Sequence, residues 1–345
     1  VEENQGFERL RQIEPRVLFA CDGTTEAGAP LDTLERVGTL RAALPKLQSL
    51  VMLPFRNETP DLSALHGAAG FAAYGLDAMV EFAPLPFAHP LCILHAPDGA
   101  AVIHGAGGSL VQQLKELLLH ADVKPGDRLL CLDRSGGARW TRAVAALAAG
   151  ATLVLYEGSP FHPGPEHLWE LAEQEGVTHL DLGVDELTAL EATPLRPAQR
   201  WKLPRLRSLL VQAPLSAAQY DFVYQHLKAD VHLSASIGGA DLQGSLALGN
   251  PWLPVYRGEA QCRGLGMAVE IFDEEGRALT EQPGELVCSK AFPSLPLGLW
   301  NDEDGRDFRA RYFERFPGVW YRGDYACLTA RGSVVSTGRP PPTKE

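Results

Sequence analysis

The alternation of short apolar strands with amphipathic helices between residues 101 and 228 constrains the fold more than any other feature of the chain. Ala101-Val102-Ile103 reads as a strand, Gly107-Gly108 as the turn after it, and Ser109 as the N-cap of a helix with Leu110, Leu114, Leu117 and Leu118 on one face. A strand is expected at 128–132, an Ala-rich helix at 139–149 ended by Gly150, and at 151–156 a fully apolar strand buried on both faces. The pattern continues with a helix near 166–175 closed by Gly176, strands at 177–182 and 208–211, and a helix near 217–228. Such alternation implies an α/β region with a doubly wound, mostly parallel sheet.

After about residue 250 the period changes. Residues 267–273, 284–288, 325–329 and 333–337 read as short strands separated by turns at Glu275-Gly276, Gln282-Pro283-Gly284 and Arg331-Gly332. They predict a small antiparallel, barrel-like β subdomain. At the other end, a strand at 17–20 and a helix near 31–44 form one more βα unit, and 54–90 is a connector containing Pro, Ala and Gly with no assignable strand. The expected organisation is therefore 1–89 as the remnant of a first α/β subdomain plus connector, 90–250 as an α/β subdomain, 251–339 as the antiparallel subdomain and 340–345 as a tail.

Composition narrows the partners. A chain of 345 residues with 45% hydrophobic and 21% charged residues is ordinary globular material. Its formal net charge of -12 argues against nucleic-acid or anionic-membrane surfaces, which need clustered Lys and Arg, and leaves small molecules or proteins. The six cysteines, Cys21, Cys92, Cys131, Cys262, Cys288 and Cys327, are scattered with no CxxC or zinc-type spacing, so we read them as reduced core thiols of a cytoplasmic protein. No run approaches the ~18 apolar residues of a membrane span. The start, Val1-Glu2-Glu3-Asn4, is acidic where a signal peptide is basic, and opening on Val points to a fragment or processed product.

Three glycine clusters bear on nucleotide binding. Gly105-Ala106-Gly107-Gly108 follows a strand and opens a helix, which suits a phosphate, but Leu110 stands where a dinucleotide fingerprint needs its third glycine and there is no P-loop GKS or GKT. Ser135-Gly136-Gly137 reads as a loop. Ser236-Ile237-Gly238-Gly239-Ala240-Asp241 is the strongest, because it ends a strand of an open α/β sheet, where ligands bind, with an acidic residue.

Taken in order, several segments resemble the acetoacetyl-CoA synthetases of the AMP-forming acyl-CoA synthetase (adenylate-forming) superfamily. They include QIEPRVLF from Gln12, LVLYEGSP from Leu153, NPWLPVYRGEAQCRGLG from Asn250, GELVC from Gly284, LWND from Leu299 and FPGVWYRGD ending at Asp324. The resemblance runs from about Gln12 to Arg339. The family's enzyme is longer on both sides, so the chain is expected to lack a first part and the mobile C-terminal domain. The resemblance implies a ligase of lipid metabolism that joins acetoacetate, ATP and CoA through an acyl-adenylate, with ATP or AMP, CoA and Mg2+ as cofactors and an acetoacetate-like carboxylate as partner. From the residues alone no metal ligand set can be read.

By that resemblance Gly238, Gly239, Asp241, Asp324 and Arg339 are candidate nucleotide-binding residues, Asp324 toward the ribose hydroxyls and Asp241 near the adenylate and metal. The family's phosphate loop, of the form SSGTTGLPK, is altered. Between Cys92-Ile93-Leu94 and Val102-Ile103-His104-Gly105 lie only His95-Ala96-Pro97-Asp98-Gly99-Ala100-Ala101. His95, Asp98, Gly99 and His104 thus mark a degenerate loop without hydroxyl or Lys, with a carboxylate where phosphates would sit. The segment from Asp133 to Trp140 and Gln212-Ala213-Pro214-Leu215 also depart from the family, and Pro340-Pro341-Pro342 replaces the interdomain hinge. One preorganised donor is worth about 3–4 kcal/mol of barrier, so the loop alone predicts severe impairment. Three readings follow: a degenerate homologue or pseudoenzyme that binds AMP or an acyl group without turnover, an active ligase using an unrecognised loop or a partner chain, and a binding or structural module or eroded gene product.

Overall fold

Parallel pairing dominates the middle of the chain, as strand–helix alternation requires. The computed structural model describes residues 2–26, 28–75, 79–132 and 137–337. Its contacts divide the chain into two compact units, Val1–Leu85 with Glu157–Gly164, and Pro86–Tyr156 with Pro165–Glu345. No helix among the described residues is long and apolar enough to cross a membrane.

The first unit runs α1 (Glu2–Ile13), β1 (Val17–Cys21), β2 (Gly23–Glu26), β3 (Ala29–Asp32), α2 (Leu34–Ala43), β4 (Ser49–Leu53), β5 (Ala68–Gly70) and α3 (Phe71–Tyr74). Strands β1, β4 and β5 form a parallel sheet with β4 in the centre, while β2 and β3 form an antiparallel hairpin. That hairpin occupies residues expected to open the helix near 31, and β5 and α3 lie inside the expected connector. Leu50 and Met52 of β4 pack with Val37 and Leu65 as the core. Because β1 is an edge strand, Cys21 is exposed; of the six cysteines expected in cores, only Cys131 and Cys288 are buried.

The second unit begins with β6 (Pro90–His95), β7 (Ala101–Gly105) and α4 (Ala106–Lys115). It continues with β8 (Arg128–Cys131), α5 (Ala138–Ala148), β9 (Thr152–Val154), α6 (His167–Gln174), β10 (His179–Leu182), α7 (Val184–Glu191), β11 (Ser208–Val211), α8 (Ala217–Phe222) and β12 (His232–Ala235). Strands β8 to β12 make a five-stranded parallel sheet in the order β12-β11-β10-β8-β9. The strand expected to be buried on both faces is therefore β9, at the sheet edge, with Thr152 and Leu155 exposed; an apolar run alone does not report position within a sheet.

Antiparallel pairing takes over afterwards, in β13 (Ile237–Gly239), β14 (Gly244–Leu248), β15 (Cys262–Arg263), β16 (Val269–Phe272), β17 (Pro283–Cys288), β18 (Gly298–Leu299), α9 (Arg306–Phe313), β19 (Trp320–Leu328) and β20 (Val334–Ser336). Strands β16, β17, β19 and β20 form one antiparallel sheet and β13, β14 and β15 another. Short β18 pairs back onto β7, so the β6–β7 hairpin belongs to a three-stranded sheet with it. The architecture is thus mixed α/β, with parallel and antiparallel sheets in the same unit. Leu246, Ile271, Leu286, Tyr312 and Trp320 fill the core beneath the antiparallel sheets.

Helix α4 corrects two expectations. It starts at Ala106 behind Gly105, and Ser109 lies inside it, its hydroxyl donating to the Gly105 carbonyl at 2.7 Å, so Gly107 and Gly108 are helical and not a turn. A side chain on Gly108 would strike the Pro293 carbonyl, which explains the glycine there. The expected leucine face is only partly the buried one. Leu117 is in the core with Leu114 against it, but Leu110 and Leu118 are exposed, and Gln112, Gln113 and Glu116 are buried; Glu116 accepts the Ser245 N–H at 2.7 Å and the Gln112 amide at 2.8 Å, and Gln113 donates to the Gln243 carbonyl at 2.6 Å. A π-turn over Glu116–His120 then rotates the remaining side chains out of the helical phase.

Candidate functional site

The segment expected to be a degenerate phosphate loop is the tight turn of the β6–β7 hairpin. His95 ends β6 opposite Ala101. The Ala96 N–H donates to the Ala100 carbonyl and the Gly99 N–H to the Ala96 carbonyl, each at 2.9 Å. Gly99 adopts φ +92°, a left-handed conformation suited to glycine. These bonds satisfy the backbone within the hairpin, so the N–H groups of Ala96 and Gly99 are turned onto protein carbonyls.

Asp98 faces α9. Arg311 donates to its two carboxylate oxygens at 2.6 Å and 3.2 Å, and also reaches Asp241 at 3.4 Å. The guanidinium, followed by the backbone N–H of Ala100, holds the Asp98 carboxyl below the usual carboxylate range, although burial opposes it. Asp241 follows β13, is 2% exposed, and leaves its other oxygen, Oδ1, buried without a hydrogen bond. Beside it, burial and then the Asp241 charge push the Tyr312 hydroxyl up.

A second arginine joins the remaining candidates. Arg322, in β19, donates through Nη1 to the Gly238 carbonyl at 3.0 Å and through Nε to Asp324 at 2.8 Å, and its guanidinium lies against Gly239. Gly238, Gly239, Asp241, Asp324 and Asp98 are therefore gathered by Arg311 and Arg322, neither of which the sequence reading singled out. Arg322 had a local signal, since residues two apart on a strand share a face and it stands two before Asp324. Arg311 had none, because its partners lie 213 and 70 positions away. Arg339 falls outside the described residues.

His104 is on β7, 1% exposed. Burial pushes its pKa down to about 4, and the nearby main chain of Ala240 offsets only part of this. It is neutral at pH 7 and supplies no charge to a phosphate. Lys115 is half-buried, with burial lowering its pKa, and its ammonium lies 3.6 Å from Glu116. The Mg2+ implied by the resemblance does not fit the residues present. The Asp241 oxygen that is engaged is held by a guanidinium, and no group of three or more His, Cys, Asp or Glu among the described residues could hold a metal ion. Next to the Gly238 hairpin a cavity of about 10 Å³, room for roughly one water, is lined by Pro214, Leu215, Tyr220, Ser236, Ile237 and Glu259.

No protein-family model matches the chain. Acetoacetyl-CoA synthetase of Mus musculus is 39% identical over 350 residues, which is 97% of this chain and 52% of the mouse protein. Acetoacetyl-coenzyme A synthetase of Rhizobium meliloti (strain 1021) is 37% identical over 342 residues, 96% of this chain and 52% of that one. The solved structure of acetoacetyl-CoA synthetase from Streptomyces lividans superposes with a TM-score of 0.89 at 34% identity, covering 98% of this chain and 53% of that chain. The chain is similar to acetoacetyl-CoA synthetases over nearly the whole of its own length. It spans about half the length of the curated relatives it matches. The mixed α/β fold matches that of the solved synthetase over nearly the whole of this chain.

Proposed function

We propose that this chain is an acetoacetate–CoA ligase homologue that retains an AMP- and acyl-binding surface but does not by itself form the acyl-adenylate. The whole reaction would convert ATP, acetoacetate and CoA into acetoacetyl-CoA, AMP and pyrophosphate, with 90–250 as its adenylate-forming α/β part, 251–339 as its β subdomain, and the cytoplasm as its place. One observation carries the impairment: the Asp98–Arg311–Asp241 ion-pair chain on the β6–β7 turn. Adenylation develops charge on phosphate oxygens, and those oxygens need free N–H donors, a permanent cation and a metal. The turn directs the N–H groups of Ala96 and Gly99 inward, and places a carboxylate outward. The described cation nearest to it, Arg311, is already neutralised by Asp98.

AMP asks less of the site. A ribose needs hydroxyl acceptors such as Asp324, which is part-exposed, whereas a triphosphate also needs the donors and the cation that the turn does not offer. The proposed order of affinity is AMP or adenosine above ATP. Calorimetric titration checks it: AMP is expected to bind more tightly than ATP with Mg2+, and the reverse order would sink the proposal.

A further inference from the structure

Asp241 presents an electrostatic problem that its surroundings solve only in part. A buried carboxylate without a compensating charge costs several kcal/mol. Its hydrogen-bond partner, the Arg311 guanidinium, stands at 3.4 Å, long for an N–H···O bond, while Oδ1 is buried and unpartnered. The same guanidinium makes its shorter contacts to Asp98, at 2.6 Å and 3.2 Å, and the other polar group against Asp241 is the buried, uncharged Tyr312 hydroxyl. Two carboxylates, one from each of two hairpins, therefore converge on a single cation with acceptor capacity left over. Convergent carboxylate oxygens with spare lone pairs are what hard divalent ions such as Mg2+, Mn2+ and Ca2+ bind. Here the central cation is a guanidinium, which is permanently charged, tied to α9 by its stem, and unable to leave.

We infer that Arg311 is a tethered counter-ion that occupies the place between Asp98 and Asp241 and keeps divalent cations out of it. Ligand binding near Asp241 is then independent of Mg2+, and removing the guanidinium converts the two carboxylates into a weak divalent-cation site. The inference concerns the charge at this site alone. Its test uses neither nucleotide nor acetoacetate, so its failure and that of the functional reading are distinguishable.

The experiment compares the wild-type chain with Arg311→Met, Arg311→Lys and the double variant Arg311→Met with Asp241→Asn. Each is titrated with MnCl2, reading free Mn2+ by electron paramagnetic resonance and the unfolding midpoint by thermal denaturation. Arg311→Met is expected to bind Mn2+ with Kd of about 0.1–1 mM, the range of the weakest oxygen-ligand sites, and to be stabilised as the metal is added. The other three proteins are expected to bind at least about tenfold more weakly, with no shift in midpoint. If Arg311→Met is recovered folded only when refolded with MnCl2, that also supports the inference. Arg311→Met binding no better than the double variant, or failing to refold with MnCl2 where the double variant folds, would overturn it. So would wild-type Mn2+ binding in that range with a matching rise in its unfolding midpoint.

Discussion

Asp22, in the unit built on β1 and β4, accepts hydrogen bonds from the backbone N–H groups of Phe55, Arg56 and Asn57 and from the Asn57 amide, all at 2.6–3.1 Å. Asp241, in the other unit, has the distant Arg311 and one unpartnered oxygen. Both are buried, at 0% and 2% exposure, so the contrast lies in who satisfies them. Main-chain donors are fixed by the fold and mark a carboxylate that braces a loop. A single long side chain can be removed without disturbing the main chain, so the Asp241 contact is the easier of the two to lose.

The largest effect should separate the two. Asp22→Ala leaves three backbone donors of one loop unpaired and is expected to destabilise the first unit by about 3–5 kcal/mol, whereas Asp241→Asn removes an under-compensated charge and is expected to change stability by under about 1 kcal/mol. Urea unfolding of both variants checks this, and equal losses would break the comparison. Burial alone would raise the pKa of Asp22, but the N–H donors outweigh it and hold the group below the ordinary carboxylate value. That stabilisation is present above the unfolded pKa of about 3.9 and is lost as pH falls through the folded one.

His104 sharpens the comparison from the basic side, being buried next to the Asp241 hairpin with little to compensate a charge. With a folded pKa of about 4 against about 6.5 unfolded, the unfolded chain takes the proton first. Stability from this group is therefore full above about pH 6.5 and falls progressively toward pH 4, by up to roughly 3 kcal/mol. Thermal midpoints from pH 7 to 4.5 are expected to drop less steeply in His104→Leu than in the wild type; parallel curves would show that His104 is not held neutral by the fold.

The sequence made some of this visible. The strand Ser208–Val211 stood at its expected residues, and the change of period after 250 announced antiparallel pairing, which in the structure already begins at β13 and also occurs in the β6–β7 hairpin. What escaped was set at long range. Helix α9 carries Arg306, Arg309 and Arg311 with little apolar stripe, so its pattern did not announce a helix, though Tyr312 sits in the core. Strand β18 is two residues long and exists through its pairing with β7. At the site, local order pointed to Gly238 and Asp241, and the family resemblance to Asp324 and to the altered, acidic turn at Asp98. The arginines that tie them together became visible only when β6–β7, β13–β14, α9 and β19 were placed in space.

The central claim, which is the proposal made above, is that a fold shared with about half of a solved acetoacetyl-CoA synthetase is present while the charge needed for adenylation is not. Its most direct test is acetoacetate-dependent exchange of pyrophosphate into ATP by this chain alone, with acetate, butyrate and 3-hydroxybutyrate as controls on substrate choice. The expected result is exchange no greater than the no-enzyme blank with every acid, because the β6–β7 turn presents Asp98 and no lysine or hydroxyl. Exchange well above the blank that Asp324→Ala abolishes would contradict the account, and would make the Asp98–Arg311–Asp241 arrangement part of a working active site.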